Sequence, residues 1–383
     1  MRKIRIVLTG GGSGGHTYPL VAVAESLRRL ANANSIDLSI SYLGPKDQWS
    51  ALLEGYGIKV RYILGAKVRR YASLLNLLDV PKFFISIVQA LFKLFWLMPD
   101  AVFSKGGPGA LAVVCAAWFY RIPVVIHESD AVPGFTNRIS ARFAKRVAVS
   151  FDRALAYFDP RKVVWTGHPV REEILADNLT AIAAKESLHF MGDEPLLLVL
   201  GGSQGSQRIN EFIVLILKDI IREVQILHQT GAAHIEDIKK LAAAALADPA
   251  FSEEVKAHYR PVGYLDDHAM RAALTAADLV VARAGSNVFE IAAFGKPAIL
   301  FPLPEAANNH QRVNAYEFAK SGGALVIEEQ NLLPDIFLTQ LRSVLKNPVR
   351  MNQMALGSAK FFKKGAAEEI ATEVLARALR SIR

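Results

Sequence analysis

Short, predominantly apolar runs alternate along this chain with stretches in which apolar residues recur every three or four positions. The first run, Ile4–Leu8, reads as a strand, and Leu20, Val23, Ala24 and Leu27 after it sit at helical spacing. Strands follow at Leu38–Leu43 and Ile58–Ile63. Leu74–Met98 is densely apolar and reads as two helical stretches split by Pro81. Ala101–Phe103, the helix Ala110–Tyr120 and the strand Pro123–Ile126 come next. The pattern loosens near Gly167–Arg171 and then restarts. Leu196–Leu200, Gln225–His228, Leu279–Ala282 and Ala298–Phe301 read as strands. Ile209–Leu217, Leu241–Ala247 and Asn287–Phe294 read as helices, the last closed by Gly295 and Pro297. The final 25 residues form an amphipathic helix. This alternation predicts an α/β protein: two similar parallel-sheet units with helices on both faces, their ligand-gathering edges facing a central cleft.

Length and composition narrow the picture. At 383 residues, two domains are the default, and an apolar fraction of 51% supplies their cores. A net charge of +9 points to an anionic partner. No basic stripe with interleaved aromatics appears, so nucleic acid is not expected. The single cysteine, Cys115, lies in an apolar run; it reads as a buried structural thiol of a reducing compartment. No signal-peptide core follows the basic amino terminus. No uninterrupted apolar run reads as a spanning helix, because Gln89 and Lys93 interrupt the longest.

The candidate chemistry lies at strand ends. Gly10-Gly11-Gly12-Ser13-Gly14-Gly15-His16 joins the first strand to the first helix, and its unshielded amides at a helix start suit a phosphate or a sugar. Gly10, Gly12 and Gly15 also satisfy the dinucleotide pattern, but the second strand ends in Tyr42-Leu43-Gly44, without the acid that a ribose requires. A plain packing turn is the other reading. His16 is either a general base or a hydrogen-bonded turn histidine. His127-Glu128, ending another strand, is either a buried ion pair or a catalytic couple. With Ser104-Lys105-Gly106-Gly107-Pro108-Gly109 after Phe103, polar or glycine-rich turns follow three strands in the first half, and Gly201-Gly202-Ser203-Gln204-Gly205-Ser206 opens the second.

Taken in order, Gly11–His16 with Pro19, His127-Glu128 with Pro133-Gly134 and Thr136–Arg138, Gly167–Arg171, Gly201–Gly205, His228–Gly231, Arg283–Gly285, Glu290–Ala293 and His310-Gln311 with Asn314-Ala315 resemble glycosyltransferase family 28. The resemblance is to its peptidoglycan enzymes, which add N-acetylglucosamine to lipid I, and so bear on cell-wall biogenesis, cell shape and division. It implies a GT-B fold: an acceptor- and membrane-facing domain over residues 1–165, a UDP-sugar domain over 166–355, and a helix over 356–383 packing back toward the first. It implies His16 and Glu128 as catalytic residues. For UDP-GlcNAc it implies Ser13, Gly14, Gly15, Asp130, Arg171, Ser203, Gln204, backbone around Leu265, Gly285, Ser286, Asn287, Val288, Glu290 on the ribose and Gln311 on the sugar. Asn287-x-x-Glu290 also reads as a capping box, which would give Glu290 a structural task.

The chain departs from the family at Leu20, at Gly106-Gly107-Pro108-Gly109 and at Ser129-Asp130, all on the acceptor side. The resemblance implies inverting displacement by the acceptor's C4 hydroxyl. No cofactor is called for, and no Asp-x-Asp occurs, so no obligatory metal is expected. Lipid I is a membrane substrate. Lys67, Arg69, Arg70, Lys82 and Lys93, set among Leu74, Leu75, Leu78, Phe83, Phe84, Phe92 and Trp96, read as a surface for anionic phospholipid on the cytoplasmic side of the cell membrane. Arg138, Arg142 and Lys145 flank it. About half of the apolar residues are expected in the core. Other readings are a GT-B enzyme with a different glycolipid acceptor, and a binding module without activity.

Overall fold

A computed structural model describes residues 3–65, 74–176, 179–202, 205–304 and 309–380, with the side chains of residues 74–79 outside the description. The chain divides into two compact units. The first runs from the amino terminus to Arg171 and takes in the chain again from Lys363; the second is Glu172–Phe362.

The first unit is a seven-stranded parallel sheet in the order β3-β2-β1-β4-β5-β6-β7. Its strands are β1 Ile4–Thr9, β2 Leu38–Gly44, β3 Lys59–Tyr62, β4 Ala101–Ser104, β5 Val124–Glu128, β6 Arg146–Val149 and β7 Val163–Trp165. β4 and β5 are buried on both faces, as apolar runs require. One face packs Ile6, Leu8, Phe103 and Val125 with Leu20, Val23 and Leu27 of the helix Gly14–Ala33 and with Ile370 and Val374 of the helix Ala366–Arg380. The carboxy-terminal helix therefore belongs to the first core.

The second unit repeats the plan in six strands: β8 Leu196–Leu200, β9 Gln225–Gln229, β10 Tyr259–Val262, β11 Leu279–Ala282, β12 Ala298–Leu300 and β13 Ala324–Val326. Their order is β10-β9-β8-β11-β12-β13, all parallel. Strand order reverses between β1 and β4 in one unit and between β8 and β11 in the other. At such switch points the two flanking loops part and leave a crevice at the carboxyl ends of the strands.

Several expectations need correction. The chain passes between units at Arg171 and Lys363, not at 165 and 355. Segment 166–171 stays with the first unit because Gly167 lies against Lys363 and His168 bonds to Ser150 after β6. Pro81 does not split a helix: Leu74–Leu97 is continuous, losing one backbone bond in 24 residues. Within it, residues 80–97 are long and apolar enough to cross a membrane by length and composition, and only 17% of that window is buried. Among residues 80–97 the buried stripe is Ser86, Ala90 and Leu94, one residue per turn, so far less than half of that described stretch is core. Cys115 is half-buried, with burial raising its thiol pKa.

Candidate active site

In the first unit, the loops at the switch point pack on each other. The helix Gly14–Ala33 starts at Ser13, and Ser13 Oγ lies 3.2 Å from His16 Nδ1. Gly107 of the loop after β4 fits beneath His16. It has φ +91°, and a Cβ there would lie 2.6 Å from the Gly11 carbonyl and 3.4 Å from His16 Nδ1. Only glycine tolerates both the turn and the approach. The first turn is less bare than its sequence implies. Asp47 Oδ2 accepts from the Gly12 amide at 2.9 Å, and the Tyr42 hydroxyl donates to the Gly10 carbonyl at 2.6 Å. Gly12 is therefore not open to an anion unless Asp47 moves.

Glu128 ends β5 almost fully buried, and both its oxygens are engaged. Oε1 accepts from the Asp130 amide at 3.0 Å. Oε2 accepts from the Gly134 amide at 3.0 Å and from Asn137 Nδ2 at 3.1 Å. It makes no ion pair with His127, whose Nε2 instead reaches the Gly167 carbonyl at 3.3 Å and Ser150 Oγ at 3.1 Å; Ser150 Oγ in turn lies 3.1 Å from His168 Nδ1. Since Gly167 only accepts, Nε2 carries the proton. Burial first, and then the charge of Lys105, hold both histidines well below the usual imidazole range, so they are neutral. The predicted His127–Glu128 pair is thus two separate anchors. Arg171 also falls in this unit, buried, with its guanidinium 3.6 Å above the ring of Tyr18. The structure brings together Ser13, Gly14, Gly15 and His16, and links His16 to Glu128 through Gly107, Gly106 and Asn137.

In the second unit, the glycine turn after β8 is braced from β9. Gly205, at φ +79°, is pressed against the backbone of Thr230. The Thr230 carbonyl accepts from Asn210 Nδ2 at 2.9 Å, Asn210 Oδ1 lies 3.0 Å from His228 Nε2, and His228 Nδ1 lies 2.8 Å from the Tyr259 hydroxyl. Donor roles follow along the chain: Tyr259 donates to His228, His228 to Asn210, and Asn210 to Thr230. Burial lowers the His228 pKa to about 3, so this chain is neutral. Ser206 caps the helix Gln207–Leu215 and is gripped by Arg283 Nε and Nη2 at 3.2 and 2.9 Å. Arg283 Nη1 also holds the Phe301 carbonyl at 3.0 Å and Glu329 at 2.8 Å. A supported turn opening a helix that points its amides outward can bind phosphate.

The other donor candidates sit on the same carboxyl edge. Gly285 has open space where a side chain would lie. Val288 and Leu265 are core residues, so they can offer only backbone. The helix runs Asn287–Ala293 with Ser286 at its cap and no side-chain cap bond, so the predicted capping box is not formed. Asn287 is already helical and cannot cap. Glu290 raises the pKa of the Tyr264 phenol, second to burial, so the segment before Leu265 and the start of this helix are neighbours. Gln311 Oε1 accepts from the Leu303 amide at 3.1 Å. Ser203 and Gln204 lie outside the described residues. The site prediction omitted Tyr42, Asp47, Lys105, Tyr264 and Arg283. Of these, Tyr42, Lys105 and Arg283 stood in stretches quoted above, and Lys105 directly follows β4.

The family model for the glycosyltransferase family 28 N-terminal domain matches residues 6–149, and that for the C-terminal domain matches residues 196–370. The chain is 35% identical over 373 residues to the UDP-N-acetylglucosamine--N-acetylmuramyl-(pentapeptide) pyrophosphoryl-undecaprenol N-acetylglucosamine transferase of Caldicellulosiruptor saccharolyticus, covering 96% of each chain. Among solved structures it is similar to MurG of Acinetobacter baumannii, with a TM-score of 0.73, 28% identity, and 98% and 100% of the two chains covered. The UDP-GlcNAc 2-epimerase of Neisseria meningitidis, bound to UDP-GlcNAc, shares the fold at a TM-score of 0.66 and 15% identity, over 98% and 100% of the two chains.

Proposed function

The chain belongs to glycosyltransferase family 28, and from that premise we propose that it transfers N-acetylglucosamine from UDP-GlcNAc to the C4 hydroxyl of the muramyl residue of lipid I, giving lipid II. The observation that carries this reading is the full-length likeness to a transferase of that name, across both units and both switch points.

The reaction is a direct displacement with inversion. The donor's diphosphate lies on the braced turn of the second unit. There the amides of the turn, and the positive end of the helix that Ser206 caps, meet the charge that builds on departing UDP. Fixed dipoles supply that neutralisation without a metal, consistent with a chain that has no Asp-x-Asp. Glu290 takes the ribose hydroxyls as a carboxylate acceptor. Backbone at Leu265 reads uracil, and Gln311, already oriented by Leu303, meets the sugar. On the first unit, His16 takes the proton of the attacking hydroxyl, a contribution of about 10²–10⁴-fold. Glu128 suits the anchor's part better than the base's, since its two oxygens already accept three N–H bonds. Asp130, given to UDP-GlcNAc by the resemblance, lies in the first unit with its amide on Glu128, so we assign it to the acceptor's hydroxyls instead.

The protein works at the cytoplasmic face of the cell membrane, holding anionic phospholipid through the helix Leu74–Leu97. Phe84, Val88, Phe92, Phe95 and Trp96 are exposed there, with Trp96 69% exposed, and Trp118 and Phe119 are exposed at the end of the helix Ala110–Phe119. Aromatics presented this way insert at the headgroup boundary. The basic cluster at Lys67, Arg69 and Arg70 lies outside the described residues.

An acceptor panel tests the function. Labelled UDP-GlcNAc is offered with lipid I or with other glycolipids in vesicles, and lipid I is expected to be the preferred acceptor. Transfer to another glycolipid with lipid I untouched would assign the chain to a different GT-B activity.

A further inference from the structure

Lys105 directly follows β4 at the carboxyl edge of the first sheet and is only 1% exposed. A Cβ on Gly10 would lie 3.2 Å from Lys105 Cβ, so the lysine stem fills the space beside the first turn. On the other side, Ser104 pairs with Ile126, which puts Lys105 next to His127 in register. Among the described residues no hydrogen bond or ion pair reaches its ammonium. Lysine is almost never buried without a compensating partner. Asn137 Oδ1 and His127 Nδ1, both buried, also lack partners.

The compensating charge is one strand away. Glu128 is 3% exposed and accepts three N–H bonds, all from residues 130–137. Only the ionised carboxylate can accept all three without turning a proton toward a donor. The groups facing this pair are His127 and Asp130 from β5 and its loop, Ser150 and His168 from the segments after β6 and β7, Asn137 of the helix Phe135–Phe143, and His16 against Gly107. His127 and His168 are neutral, and Asp130 adds negative charge that, after burial, pushes Glu128 toward its protonated form. Lys105 opposes that push. Burial acts against the charge of Lys105 itself, and Glu128 and Asp130 support it.

We propose that Lys105 is a positioning residue for the acceptor: it is the countercharge of the Glu128 carboxylate, and through Glu128 it holds the Asp130–Gly134 loop in shape. The role in acceptor binding rests on the function proposed above; the charge coupling does not. Without Lys105, Glu128 is a buried carboxylate beside Asp130. With the opposing charge gone, burial and then Asp130 push it further toward its protonated form, in which it gives up one of its three N–H bonds and releases the loop.

The test compares Lys105→Met, Glu128→Gln and the double variant by two readouts. One is hydrogen exchange at the Asp130 and Gly134 amides, which needs no activity. The other is KM for lipid I beside the affinity for UDP-GlcNAc. Lys105→Met should speed exchange at both amides and raise KM for lipid I, each about tenfold or more, leaving UDP-GlcNAc affinity within about twofold. Both defects should fade as pH rises and Glu128 ionises. Adding Glu128→Gln removes the buried carboxylate but turns its amide NH2 toward one of the three donors; it should abolish the pH dependence without restoring full protection. Wild-type exchange in Lys105→Met would overturn the proposal, and so would a pH dependence of the defect that survives in the double variant. If Lys105→Met does not fold, the double variant is still expected to fold, and its failure also overturns the coupling. A wild-type protein inactive on lipid I would defeat the functional reading alone, since exchange still reports on Lys105.

Discussion

Two glycines in one turn, Gly202 and Gly205, separate backbone strain from steric fit. Both have positive φ, +87° and +79°. Alanine at either position pays about 1–2 kcal/mol for the left-handed region. At Gly202 the new methyl meets nothing within 4 Å among the described residues. At Gly205 it would lie 2.1 Å from the Thr230 carbonyl oxygen and 2.9 Å from its carbon. That carbonyl cannot yield freely. It accepts from Asn210 Nδ2 at 2.9 Å, and the Thr230 amide is tied to the Val262 carbonyl at 2.9 Å. Displacing it breaks a buried hydrogen bond, a further ~1–3 kcal/mol. The totals are about 1–2 kcal/mol for Gly202→Ala and about 2–5 kcal/mol for Gly205→Ala. These are costs to the fold, and they reach UDP affinity only as far as binding must restore the wild-type turn. At 1.4 kcal/mol per factor of ten, the loss is then at most roughly tenfold to thirtyfold in the first variant and at most about a thousandfold or somewhat more in the second. Calorimetry with UDP and UDP-GlcNAc, run beside thermal unfolding, reads both quantities. Equal losses in the two variants, or none in either, would show that this turn does not carry the diphosphate.

Three further outcomes follow from the same geometry. His16→Ala should lower kcat by about 10²–10⁴-fold and leave UDP-GlcNAc affinity within about twofold; unchanged turnover in a steady-state assay removes His16 from the chemistry. His228 stays neutral in the folded protein down to about pH 3, whereas the unfolded chain takes a proton near 6.5. The unfolded state binds more protons between those values, so stability falls as pH drops through that window, by about 1.4 kcal/mol per unit for this group. His127 and His168 act in the same direction and Glu128, its pKa raised by burial, in the opposite one. Urea midpoints from pH 7 to 5 should therefore fall less steeply in His228→Gln than in wild type, and equal slopes would contradict this. Replacing Phe92 and Trp96 together by serine should weaken sedimentation with anionic vesicles roughly tenfold or more, with thermal stability nearly unchanged because both are exposed; a large loss of stability would mean that they are core.

The sequence reveals most where one strand is wholly apolar. β8, β11 and β12 are uninterrupted apolar runs, β4 and β5 are apolar up to their polar last residues, and β1 is broken only at Arg5 and Thr9; their ends locate both switch points. β6 and β10 are broken by Arg146 and Pro261, and β7 and β13 are only three residues long. β10 tolerates Pro261 because it is an edge strand. Spacing could not reveal Pro81 inside a continuous helix, since packing outweighs one missing bond. The site was legible as glycine turns with polar residues beside them. The residues that support those turns were not. Asp47 reaches Gly12 across 35 positions, and Arg283 reaches Ser206 across 77. Such pairs form only once the sheet order has been set, and no local pattern encodes them. Nor does local pattern separate Lys105, buried beside Glu128, from the lysines that lie in solvent.

The most direct test of the account is transfer by the purified protein in excess chelator, with UDP-GlcNAc and lipid I in anionic vesicles. The expected result is a lipid product heavier by one N-acetylhexosamine, with the anomeric configuration inverted and UDP released in equal amount. Free sugar without lipid product, epimerised donor, or transfer that returns only when a divalent metal is restored would contradict it.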